Sequence, residues 1–129
     1  MTMSRPAVFL DRDGTLNVDV AYVTAPAAMR LLPGVGAALQ LLRSAGFACV
    51  VVTNQSAIGR GMMTEADLER VHEEMNRQLA AAGAFLDGIY HCPAVSDDHP
   101  DRKPNRLVRR RGRGTLCQPM PSFVVQTAK

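Results

Sequence analysis

A parallel α/β sheet flanked by helices is predicted by three features of this 129-residue sequence. Short apolar runs alternate with stretches of helical periodicity. The middle run, FACVVV, is continuous and largely β-branched, as a strand buried on both faces reads. The spacing between runs suits right-handed strand–helix–strand crossovers.

The elements follow in order. Ala7–Leu10 is the first strand. Residues 11–26 are polar and irregular, broken by Gly14. Pro33 and Gly34 open a helix of about ten residues, because proline suits a first helical position. Its apolar stripe is Val35, Leu39 and Leu42, and Gly46 stops it. Phe47–Val52 is the central strand, and residues 53–63 form a loop. Thr64 caps a second helix, with Glu65 and Asp67 in the first turn, where acids complement the helix dipole. Leu68, Val71, Met75 and Leu79 form its buried stripe, and it ends near Gly83. Phe85–Cys92 is the third strand, stopped by Pro93.

Composition narrows the class. Hydrophobic residues make up 47% and charged residues 21%, which is globular and not disordered. No apolar run approaches the roughly 20 residues of a membrane span. The run at Ala7–Leu10 is too short for a signal-peptide core, so a soluble cytoplasmic protein is expected. Three cysteines (Cys49, Cys92, Cys117) argue against a disulfide framework. The net charge of +3 is uneven. Residues 1–101 carry 7 basic and 12 acidic side chains, whereas residues 102–129 carry 8 basic and none acidic.

Ligands in open parallel sheets bind at the carboxyl ends of strands. The first strand ends Asp11-Arg12-Asp13-Gly14-Thr15. Two carboxylates so close past a buried strand are costly without a cation, and magnesium takes a few carboxylate oxygens plus water and phosphate. One aspartate can then attack a phosphoryl group while the other moves the proton. An ordinary acidic turn is the alternative. The second strand is followed by Thr53-Asn54-Gln55-Ser56, whose hydroxyl and amide suit phosphoryl oxygens; a polar loop entering a helix reads the same way. Past the third strand lies Asp101-Arg102-Lys103-Pro104. A lysine there neutralises phosphate, and an arginine grips a second anion. A solvated basic pair is the alternative.

In this order, the three sets resemble the haloacid dehalogenase (HAD) superfamily of phosphohydrolases, over residues 6 to about 105. FLDRDGTLNVDVAYVT, LLPGV and VVTNQSAIGRG are similar to its branch of histidinol phosphatases and heptose-bisphosphate phosphatases. The resemblance implies a Rossmann-like, magnesium-dependent and mostly monomeric enzyme without a large cap domain. Its implied substrate is a small sugar bisphosphate, with histidinol phosphate as the alternative. By motif, Asp11 is implied as nucleophile and magnesium ligand. Asp13 is implied as general acid/base, with its carbonyl on the metal. Thr53 and Lys103 are implied as phosphate ligands, and Arg102 as the contact to the other phosphate. Asn17, Asp19, Tyr22, Asn54 and Arg60 fall on the substrate side.

Two stretches depart from the family. Many members bind structural zinc through Cys-x-His and Cys-x-Cys pairs before Arg-Lys-Pro. Here Cys92-Pro93-Ala94 and His99-Pro100-Asp101 stand instead, so zinc is not expected, with Cys92, His99 and Asp101 as a degenerate set. The family's later strand also ends in Gly-Asp, whose aspartate binds magnesium. Residues 106–129 hold no acid and pack five arginines into positions 106–113. The expected organisation is therefore a partial phosphatase domain over 1–105 and a basic tail over 106–129. Three readings compete for the tail: translation in a shifted frame, which is favoured, a mispredicted gene end, or a nucleic-acid-binding arm. The first two leave one sheet flank open, apolar area uncovered near Val8, Val50 and Ile89, and catalysis weak or absent. A catalytically dead remnant with a nucleic-acid-binding tail is the non-enzyme alternative, although nucleic acid is not the expected partner.

Overall fold

The computed structural model describes residues 5–95. Within them lies a three-stranded parallel sheet of β1 (Ala7–Leu10), β2 (Ala48–Asn54) and β3 (Gly88–Cys92), in the order β1-β2-β3. Leu10 stands beside Val51, and Val51 beside Ile89. Helices α1 (Val35–Ser44), α2 (Ser56–Gly59) and α3 (Glu65–Ala81) complete the fold, with a 3-10 turn at Pro26–Ala28.

The expected α/β class holds, with four adjustments. Pro33 stays outside α1, because Gly34 takes the capping position at φ 81°, a conformation that favours glycine. β2 runs two residues past Val52, since Thr53 and Asn54 pair with His91 and Cys92. The residues after it are not all loop, for Ser56–Gly59 makes one helical turn. β3 begins at Gly88 and not at Phe85, which is 56% exposed.

What delays β3 is Asp87. Its Oδ2 accepts a 2.7 Å bond from the Cys49 amide and pairs with Arg43. Arg43 in turn lies over the Phe85 ring, 3.3 Å from its centre. Burial alone would push the Asp87 carboxyl up, but Arg43, the Cys49 amide and Arg5 hold it below its ordinary value.

At its start, α3 carries a reciprocal cap. Thr64 Oγ1 accepts from the Asp67 amide at 3.1 Å, and the Thr64 amide donates to Asp67 at 2.8 Å. Its stripe of Leu68, Val71, Met75 and Leu79 is buried against Cys49 and Val51 of the sheet, as the periodicity predicts. Gln78 ties α3 to the long loop before α1. Its Nε2 donates to the Met29 carbonyl at 2.7 Å, and its Oε1 accepts from the Leu31 amide at 3.1 Å.

The opposite sheet face gathers Ala7, Phe9, Ala48, Val50, Val52 and Tyr90, all strand residues. Val50 is fully buried there, contrary to the expectation that it would be uncovered. Val8 and Ile89 are half-buried and share the other face, where Ile89 packs on the α3 core. Among the described residues, β1 pairs with β2 alone. No described helix is long and apolar enough to cross a membrane.

Candidate active site

The carboxyl ends of β1 and β2 adjoin because the strands are parallel neighbours. Asp11 follows β1 directly, and its Oδ1 accepts the Arg12 amide at 2.8 Å. The chain then folds around the Arg12 carbonyl, which takes the amides of Thr15, Leu16 and Asn17 at 3.2, 2.8 and 3.3 Å. Gly14, at φ 80°, makes this turn possible. Its amide closes the turn on the Asn17 carbonyl at 2.9 Å.

Asp13 is held from three sides. Arg12 donates to Oδ1 from Nε at 3.2 Å and from Nη2 at 2.8 Å. Asn17 Nδ2 donates to the same oxygen at 3.1 Å. Gln55 Nε2 reaches Oδ2 at 3.0 Å and also meets the Thr53 hydroxyl at 2.9 Å. Thr53 is buried and donates to the Asn54 carbonyl at 3.4 Å. One hydrogen-bonded unit thus joins Asp13, Asn17, Gln55 and Thr53.

Arg12 is completely buried, an unusual place for a residue that cannot shed its charge. Its third nitrogen, Nη1, lies 3.2 Å from His72 Nε2 on α3. Burial foremost, then Arg12 and His91, depress the His72 pKa to about 3 against an opposing pull from Asp13. The ring is therefore neutral near pH 7.

The structure brings together Asp11, Asp13, Asn17 and Thr53 of the sequence-predicted set. Asn17 is fully buried and spends its amide on Asp13 and on the Val18 carbonyl. Its Oδ1 is buried and has no partner among the described residues. Asp19 is exposed, stands 3.9 Å from where a Gly14 Cβ would lie, and accepts the Ala21 amide at 3.0 Å. Tyr22 is exposed nearby in sequence, and Asn54 is half-buried. Arg60 is exposed at the end of α2, with Nε 3.4 Å from Ser56 Oγ. Arg102, Lys103, His99 and Asp101 lie outside the described residues. Cys92 is buried at the end of β3.

Arg12, Gln55 and His72 were missed by motif reasoning. His72 carried a signal, because it falls four residues after Leu68 and three before Met75, on the apolar stripe of α3. A histidine on such a stripe has to find a polar partner inside.

Among the described residues, no group of three or more His, Cys, Asp or Glu is arranged to hold a metal. Magnesium asks for less, one or two carboxylates with water and phosphate. Asp11 offers carboxylate oxygen, and among the described residues no backbone amide donates to the Asp13 carbonyl. That donor set fits a hard cation.

No family model matches the chain. It is 52% identical over 93 residues to the D-glycero-beta-D-manno-heptose-1,7-bisphosphate 7-phosphatase of Salmonella typhi, covering 72% of this chain and 50% of that protein. The Yersinia pestis protein of the same name is 50% identical over 101 residues, covering 78% and 52%. The chain spans about half the length of these curated relatives. A crystal structure of D,D-heptose 1,7-bisphosphate phosphatase from B. bronchiseptica, complexed with magnesium and phosphate, superposes with TM-score 0.68 at 38% identity. That match covers 74% of this chain and 54% of the other. A candidate HAD-like phosphatase from Mesorhizobium loti also gives 0.68, at 41% identity over 79% of this chain and 53% of its own. Sequence identity and the superposed parallel sheet agree, and the chain belongs to the HAD-like phosphatase family.

Proposed function

We propose that the protein is a magnesium-dependent phosphomonoester hydrolase for a small sugar bisphosphate, a heptose 1,7-bisphosphate 7-phosphatase, acting through an aspartyl phosphate on Asp11. The observation that carries this reading is the clamp on Asp13, two residues beyond Asp11 and linked through Gln55 to Thr53. The names of the relatives supply the substrate class.

Asp11 attacks phosphorus while the bond to the sugar oxygen breaks, and Asp13 gives that oxygen its proton. Asp13 then takes a proton from the water that attacks the aspartyl phosphate, releasing phosphate and restoring Asp11. Oδ1 of Asp13 is surrounded by three N–H groups, whereas Oδ2 has the single Gln55 N–H. The travelling proton therefore belongs on Oδ2. The Thr53 hydroxyl turns from the Asn54 carbonyl to a phosphoryl oxygen. Asp11 and the Asp13 carbonyl would hold magnesium, which neutralises the carboxylate and phosphoryl charges when bound. Lys103 shares that task, Arg102 takes the second phosphate, and Asp19, Tyr22, Asn54 and Arg60 face the sugar.

Phosphate release by the purified 129-residue chain, with heptose 1,7-bisphosphate and histidinol phosphate compared, tests the reading. Slow magnesium-dependent release, faster with the heptose bisphosphate and abolished by Asp11→Asn, is expected. Release that survives Asp11→Asn, or no release from any phosphomonoester, overturns it.

A further inference from the structure

We propose that Arg12 and His72 are positioning residues for Asp13: His72 fixes the Arg12 guanidinium, and Arg12 fixes the carboxylate that moves the proton. The inference rests on the role just given to Asp13.

Arginine has five N–H donors and no acceptor. His72 Nε2, 3.2 Å from Arg12 Nη1, must therefore accept, and this places the ring proton on Nδ1. A guanidinium in water would turn freely. This one is buried, and two of its nitrogens meet Asp13 Oδ1 while the third meets a ring carried by α3. The three contacts use separate nitrogens of one plane, so moving His72 turns the plane against Asp13. Asn17 and Gln55 bind the carboxylate from other sides. Of these donors, only Arg12 brings a charge and links the site to the helix layer.

A simple packing role would bury the same groups, but it would not depend on the acceptor atom. The molecule offers a way to separate the two. A cavity of about 420 Å³ is lined by His72 together with Leu68, Glu69, Ile89 and His91. Free imidazole can enter it when the His72 ring is removed.

The experiment uses the full chain, isotope-labelled, with His72→Ala, His72→Gln and added imidazole. Two readouts are taken: the NMR resonance of the Asp13 carboxyl carbon, and kcat against KM for phosphate release. In His72→Ala, the resonance is expected to shift and kcat to fall about tenfold with KM nearly unchanged, the scale of one hydrogen bond to a charged group. Imidazole, or the acceptor oxygen of His72→Gln, restores both. A resonance unmoved in His72→Ala overturns the proposal, as does a shift that neither imidazole nor glutamine reverses. If His72→Ala does not fold, His72→Gln and His72→Met make the same comparison, with the acceptor kept or lost at similar volume. If the wild-type chain releases no phosphate, the functional reading fails, and the carboxyl resonance still decides the positioning.

Discussion

The side-chain amide of Gln55 lies 3.0 Å from Asp13 Oδ2, so the end of β2 holds a residue beyond the end of β1. The same nitrogen meets the buried Thr53 hydroxyl at 2.9 Å. Gln55→Leu removes both bonds and leaves those oxygens without this donor. The expected loss is about 1–3 kcal/mol of stability, measured by urea unfolding. A change within about 0.5 kcal/mol, the level of an indifferent surface substitution, would show that the bridge carries no weight.

His72 makes the fold sensitive to mild acid. In the unfolded chain its ring takes a proton below about pH 6.5. In the folded protein that happens only near pH 3, mainly because burial disfavours the charged form. Between those values the unfolded state binds more protons, so stability falls as pH drops. Urea midpoints at pH 7, 5.5 and 4.5 should fall less steeply for His72→Gln than for the wild type. Parallel slopes would remove His72 as the cause.

Asp87 acts lower on the pH scale. Its folded pKa is depressed from 3.8 despite burial, because Arg43 and the Cys49 amide bind the carboxylate. The stabilisation is complete above the unfolded value and is lost as pH falls through the folded one. Asp87→Asn should cost about 1–3 kcal/mol at pH 7, as a hydrogen bond to a charged group does, with the difference shrinking below about pH 4. Thermal unfolding across pH checks this, and a difference independent of pH would contradict it.

Gly59 tests how α2 meets the chain after β3. Its amide donates to the Pro93 carbonyl at 3.1 Å, and a Cβ there would strike that carbonyl and come within 2.9 Å of a Val95 methyl. Gly59→Ala should destabilise by about 1–3 kcal/mol, the usual cost of overpacking. An unchanged unfolding midpoint would show that residues 93–95 move aside freely.

Where side-chain chemistry is local, the sequence was legible. The Thr64 cap, the stripe from Leu68 to Leu79 and the β-branched run of β2 each stand in the structure. What escaped depends on partners distant in the chain. Thr53 and Asn54 are strand residues because β3 offers them ladder partners, and composition alone leaves them polar. Arg12 reads as a spacer between two acids until a histidine sixty positions later lies beside it. Gln55 reads as loop, because its partner Asp13 is on another strand end. Asp87 was absorbed into a predicted strand that its own bond to Cys49 prevents from starting there.

Gln78 holds the long loop by both a carbonyl and an amide, at Met29 and Leu31. The base of that loop is thereby stitched to α3, while Asp19 and Tyr22 stand exposed further along. Insertions between residues 19 and 22 would lengthen the exposed part without disturbing the buried Val23 or the strand ends, since exposed loop tips absorb added residues readily. Under the proposed function, the loop can thus diversify to suit new substrates while the aspartates beyond β1 stay unaltered.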